Sequence, residues 1–229
     1  MSDAAGEDPS DASPDEEGFR WEEWVNIARE IAVTVAIVLV IAAVLFGLSG
    51  VWPPLVAVES DSMEPNIMTG DLVFIVDNER YAADGAIDGT GVLPADLSNE
   101  YESFDRPGDV IIFAPNGDPG RTPIIHRAHL WVEQGEDWYE RGDPSLMGGA
   151  SSCDDVSSCP APHAGFITHG DNNAFYDQVQ SDTEPVRAEW VVARAWTRVP
   201  LVGHLRLIIA EYLAVVVPVG IWRANTNPV

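Results

Sequence analysis

Between Ile31 and Val58 the chain carries no charge over 28 residues, reading IAVTVAIVLVIAAVLFGLSGVWPPLVAV. Roughly 20 apolar residues at 1.5 Å each are enough to cross a hydrocarbon core of about 30 Å. Trp21, Trp24 and Trp52 stand near the two ends, where amphipathic rings favour a membrane interface. Pro53 and Pro54 end any helix. The pattern predicts a transmembrane helix near residues 27–50, within an anchor segment 25–52. The preceding residues are acidic rather than basic, and the apolar run exceeds the roughly 7–15 residues of a cleavable signal, so a retained anchor is expected. Arg20 and Arg29 lie on the amino side and the next basic residue is Arg80. That places residues 1–24, an acidic segment without apolar periodicity, in the cytoplasm as a disordered tail, and residues 53–200 outside.

Beyond the anchor the period changes. LVFIVD, DVIIFAP, IIHRAHLWVE, GFITHGD and EWVVARAWTRV are β-branched and aromatic with partial alternation. Loops rich in Gly, Asp, Asn and Pro separate them, and no long amphipathic helix intervenes. The expected fold class is mainly β: an antiparallel β domain over 53–200 behind the anchor. Residues 81–107 read as an insertion or mobile loop. The segment 201–229 turns apolar again and suits a second membrane span, an interfacial helix or a core strand with a tail.

Composition sharpens this picture. The chain has 229 residues, 37 acidic and 12 basic, for a net charge of −25. All the basic residues are arginine; there is no lysine. This excludes nucleic acid as a partner, since phosphate contacts need clustered cations. Acidity spread along the whole chain points to adaptation to high salt, where a Debye length of roughly 3 Å at molar ionic strength screens self-repulsion. Cys153 and Cys159 are separated by five residues, a spacing that fits no common zinc site. They form either a local disulfide, if the region lies outside the cell, or two free thiols.

Chemistry centres on ESDSMEPNIMTGDLVFI, Glu59 to Ile75, directly after the anchor. Ser62 is a candidate nucleophile only if a neighbour takes its proton. The absence of lysine removes a Ser-Lys dyad and leaves five histidines: His126, His129, His163, His169 and His204. On a regular strand His126 and His129 point to opposite faces, which weakens a metal reading of HRAH. His163 and His169 flank a strand and read as surface loop residues. A histidine base needs an acid to fix its tautomer, and THGDNNAFYDQ offers Asp171 and Asp177 in a turn composition.

The order S-x-S-M-x-P behind an anchor, then G-D-V-I-I-F, then I-I-H-R, then G-D-N-N with an aspartate at 177 resembles the type I signal peptidases, in the archaeal and endoplasmic-reticulum branch that uses histidine in place of lysine. The resemblance covers roughly residues 25–200. With the acidic composition, it suggests a halophilic archaeal origin. It implies a membrane-bound serine endopeptidase that needs no cofactor or metal and cuts signal peptides from preproteins after small residues (A-x-A), beside the bilayer and the protein-export channel. It implies that Ser62 attacks, that His126 is general base and then acid, and that Asp177 or Asp171 orients it, Asp177 being favoured as the closer partner and Asp171 essential in an unassigned role. Ser60 and the Ser62 N–H would form the oxyanion hole. Met63, with Pro65, would lie at the membrane-facing rim of the cleft. Asp61 departs from the family's glycine, which questions the turn conformation there.

Two other readings compete. An autoprotease of the SOS-repressor type shares the serine and the β architecture but uses a lysine base and no anchor. A non-catalytic anchored β domain would keep the fold and dispense with the chemistry.

Overall fold

The computed structural model describes residues 21–180 and 183–200. The expectations for a disordered tail at the start and for a second apolar segment after 200 fall outside, or almost wholly outside, those residues. The chain divides into two units, Met1–Val44 and Leu45–Val229.

Helix α1 runs over Trp21–Ser49, a little longer than expected. At 1.5 Å per residue it is about 43 Å long. Ile31, Val35, Leu39 and Val44 are exposed among the described residues, so apolar side chains cover the helix surface. Its length and composition fit a membrane span or a signal anchor.

The second unit is built on one antiparallel six-stranded sheet. Its strands are β1 (Leu55–Ala57), β2 (Leu72–Val76), β5 (Val110–Phe113), β6 (Ile124–Val132), β7 (Gly165–His169) and β8 (Val191–Val199), in the order β1-β2-β8-β5-β6-β7. All five segments predicted as strands are strands. The pattern did not disclose β1, which is only three residues long, or the two-residue hairpin β3 (Glu102–Ser103) and β4 (Arg106–Pro107).

Alternate residues of the central strands feed two cores. Val73, Ile75, Val110, Ile112, Ala193 and Ala195 face one. Ile111, Phe113, Ala128, Phe166 and Val191 face the other. Burial on both faces explains why VIIF reads as a continuous apolar run rather than an alternation. A third core gathers Leu130, Trp138, Met147, Ile167 and Tyr176 beneath the loop that carries the cysteines. Those cysteines are joined as a disulfide, Cys153–Cys159.

The long segment 81–107 is not a loose insertion. Asp109, fully buried, accepts hydrogen bonds from Leu93 N (2.8 Å), Tyr101 Oη (2.7 Å) and Arg194 Nη1 (2.9 Å). Arg194 also donates to Asn78 O and Arg80 O. This network pins both ends of the segment to the sheet. Burial, with the Asp109 charge beside it, pushes the Tyr101 hydroxyl up to about 12. The G-D-V-I-I-F motif therefore carries architecture: its aspartate holds a loop, and its apolar residues fill both cores.

Candidate active site

The serine loop leaves β1 and closes on itself before β2. Val58 N donates to Asp71 O and Gly70 N to Val58 O, at 3.0 and 2.9 Å. The buried Asp71 carboxylate accepts from Met68 N and from Arg198 Nη1, both at 2.9 Å. Ser62 sits at the tip of this loop, partly exposed. Its hydroxyl lies 3.1 Å from that of Ser60. Its N–H finds no acceptor among the described residues. Asp61 has no left-handed backbone, so a residue other than glycine fits there without strain.

Met63 lies in the core, not at the rim of a cleft. The turn bonds Ile67 N to Met63 O at 2.9 Å and folds the side chain inward among Val58, Ile67, Val73 and Ile75, fully buried. Pro65 is exposed, and the peptide bond before it is cis.

His126 lies on β6, buried, opposite Ile111 of β5. Its Nδ1 is 2.7 Å from Asp177 Oδ2. Asp177 opens the short helix α2, Asp177–Gln180. The same oxygen accepts the Thr168 hydroxyl at 2.7 Å. The opposite nitrogen, Nε2, turns toward the serine loop across Gly170. A Cβ built on Gly170 would lie 2.8 Å from His126 Nε2 and 2.7 Å from Ser62 O. Loop and imidazole thus meet over a glycine whose missing side chain leaves the gap.

The GDNN segment also holds the serine loop directly. Asn172 N donates to Ser62 O at 2.8 Å, and Asn172 Nδ2 to Asp61 O at 3.1 Å. Asp171 serves a different partner from Asp177. Its carboxylate takes a two-pronged pair from Arg127, Nε at 2.8 Å and Nη2 at 2.7 Å, and a third bond from Asn66 Nδ2 at 2.7 Å. Arg127 spends Nη1 on the carbonyls of Ser103, Arg106 and Gly108. Burial alone would push the Asp171 carboxyl up; the hydrogen bonds and charge of Arg127, with Asn66, outweigh it and hold the carboxyl below its usual range. Asp171 therefore joins the serine loop, β6 and the β3–β4 hairpin, while Asp177 meets the histidine.

His129 does not share this site. The ladder slips between Ala128 and Leu130, and His129 packs edge-on against His169 and Tyr176. It lines a cavity of about 550 Å³ with Arg106, Arg127, Arg141, Asp143 and Tyr176, which neither Ser62 nor His126 lines. Burial pushes His129 down to about 4. His163 and His169 are buried rather than on the surface, because Glu184 and Ala164 O hold the first and Asn173 O the second. Asp137 lies beside Cys153 and Cys159, but the disulfide removes both sulfurs as metal ligands.

The residues that could not be singled out beforehand are Asn66, Asn172, Thr168 and Gln178. All four lie within the segments 59–75 and 168–178 that carry the candidate chemistry, yet nothing in spacing says that a threonine two residues before a glycine reaches an aspartate nine residues on. What the arrangement can do chemically is narrow: a buried imidazole, held at Nδ1 by a carboxylate, presents Nε2 toward a loop that carries two serine hydroxyls and an open N–H.

No family model matches the chain. Its sequence is 24% identical over 163 residues to the signal peptidase complex catalytic subunit sec11 of Aspergillus oryzae, a match covering 69% of this chain and 66% of that protein.

Proposed function

We propose that this chain is a membrane-anchored serine endopeptidase of the signal peptidase type, which removes signal peptides from preproteins on the far side of the membrane. The observation that carries the reading is the His126–Asp177 pair at 2.7 Å with Nε2 directed across Gly170 at the Ser62 loop. The similarity to a signal peptidase catalytic subunit supports the same substrate class. The anchor, the disulfide and the position of Arg20 and Arg29 support a catalytic domain outside the cytoplasm.

In this reading the Ser62 hydroxyl, hydrogen-bonded to Ser60 at rest, rotates to His126 Nε2 and gives up its proton as Oγ attacks the scissile carbonyl. Ser60 and the Ser62 N–H face the developing oxyanion; one such donor matters by on the order of 100-fold. His126 then protonates the leaving amine, the mature chain departs, and a water activated by the same imidazole releases the signal peptide and restores the serine. Asp177 stabilises the imidazolium. Asp171 acts through Arg127 and Asn66 as a structural clamp on the serine loop. Substrates share the bilayer through their own signal helices, which raises effective concentration, and the cut follows small residues in the A-x-A pattern. The protein-export channel is the expected neighbour, and the acidic surface suits work in concentrated salt, as in a halophilic archaeon.

The test is to present a preprotein in the same vesicles and sequence the amino terminus of the product. The parent is expected to yield a mature chain beginning after a small residue, and Ser62→Ala to yield none. Release of the same product by Ser62→Ala would overturn the proposal. An autoprotease is disfavoured by the absence of lysine, and would cut its own chain rather than an added preprotein.

A further inference from the structure

The Thr168 hydroxyl is directed by its neighbours. Thr168 N donates to Gln178 Oε1 at 2.9 Å. A backbone N–H can only donate, so the amide of Gln178 is oriented by the main chain. Its Nε2 then faces Thr168 Oγ1 at 3.3 Å, and also Glu184 O at 3.3 Å. An amide nitrogen can only donate too, so Thr168 Oγ1 accepts from it and sends its own proton the other way, onto Asp177 Oδ2 at 2.7 Å. That oxygen is therefore an acceptor, and the group 2.7 Å away on its other side, His126 Nδ1, is the donor. Nε2 is left with its lone pair toward Gly170 and Ser62. Thr168 and Gln178 are both fully buried, so water does not offer the hydroxyl a competing partner.

We infer that Thr168, held by Gln178, is a positioning residue that fixes the tautomer and orientation of His126 through Asp177. The inference rests on the peptidase reading above. It gives the backbone of β7 a part in the chemistry: one main-chain N–H heads a chain of four hydrogen bonds that ends at the base.

The test is kinetic, on the full-length protein in vesicles, with Ser62→Ala as the reference for no catalysis. Thr168→Val keeps the shape and removes the hydroxyl. A hydrogen bond to a charged group should matter by roughly tenfold in kcat. Without this donor, more of the carboxylate's charge faces Nδ1, the protonated imidazole is favoured, and the acidic limb of the pH–rate profile moves to higher pH. Thr168→Ser restores the hydroxyl and is expected to recover both rate and profile. In an Asp177→Asn background Thr168→Val is expected to cause no further loss, because it acts through that carboxylate. The inference is overturned if Thr168→Val keeps the parent's rate and profile, if Thr168→Ser fails to rescue, or if the two losses simply multiply. A parent no more active than Ser62→Ala would instead sink the peptidase reading, and the positioning role with it.

Discussion

Replacing Gly170 by alanine sets a methyl carbon 2.8 Å from His126 Nε2 and 2.7 Å from Ser62 O, closer than real Cβ contacts allow. Both neighbours are held, the imidazole by Asp177 and the loop carbonyl by Asn172 N. Each contact is too close on its own, as is a third to Asn173 Nδ2 at 2.8 Å, so the loop and the imidazole must both give way. Displacing a catalytic group by about 1 Å costs on the order of 100-fold in rate, so Gly170→Ala should lose about that much in kcat, while circular dichroism keeps the parent's shape and stability falls only by the roughly 1–3 kcal/mol of local overpacking. Equal activity in the two proteins would mean that the imidazole and the serine loop do not meet here. At this scale the sequence was partly readable. Ser62, His126 and the two aspartates carry chemistry whose residue types limit the options, and the absence of lysine narrows them further. Met63 misled because a methionine beside a serine says nothing of which way its turn folds. Thr168 and Gln178 stayed hidden because their roles depend on register across β6 and β7 and on how α2 packs against β7.

At the scale of elements, four pieces of backbone converge on the buried pair of Arg127 and Asp171: β6, the turn after β7, the serine loop through Asn66, and the β3–β4 hairpin through two carbonyls, with that of Gly108 just beyond it. Gly108 belongs to this junction. Its backbone φ is +85°, and a Cβ there would meet Ala95 N at 2.6 Å, which explains the glycine in G-D-V. Removing one partner of a buried ion pair costs about 3–5 kcal/mol, because the other charge is stranded. Asp171→Ala is expected to lower unfolding stability by that much in denaturant titrations, whereas Asp177→Asn should lose activity at far smaller cost in stability. The reverse pattern would exchange the roles of the two aspartates. The pH dependence has a definite sign. The Asp171 carboxyl is held below its ordinary value of 3.8, so its contribution is present above that pH and is lost as the pH falls through the lower folded value. Strand positions were legible here because the central strands are buried on both faces. The hairpin and the clamp were not, since two-residue strands have no period and Arg127 looks like any arginine beside a histidine.

For the molecule as a whole, two terms set the conditions under which it is folded. A net charge of −25 on 229 residues opposes compaction at low ionic strength. Thermal midpoints should therefore rise steeply from about 0.1 M toward molar salt, as the Debye length shrinks from roughly 10 Å to 3 Å; a flat dependence would remove the high-salt reading. The second term is His129, pushed by burial from 6.5 to about 4. An unfolded chain takes up a proton at this residue as the pH falls below about 6.5 and the folded protein does not, so stability drops between those values and levels off near the lower one, by up to about 3 kcal/mol. His129→Leu should flatten that part of the curve. His169, also pushed down by burial, acts in the same direction, so some slope should remain. An unchanged curve in His129→Leu would show that the cavity-lining histidine is free to protonate in the folded state.

The central claim is that Ser62 is the nucleophile and His126 its base, and it is tested most directly by the covalent state of Ser62 during turnover. A reaction between the parent and a vesicle-embedded preprotein is quenched in acid, and the peptide containing Ser62 is weighed by mass spectrometry. The account predicts an ester between Ser62 and the signal peptide in the parent, and none in Ser62→Ala or His126→Ala, both of which also fail to cleave. Cleavage that continues in Ser62→Ala, with no adduct on the parent's serine, would contradict it.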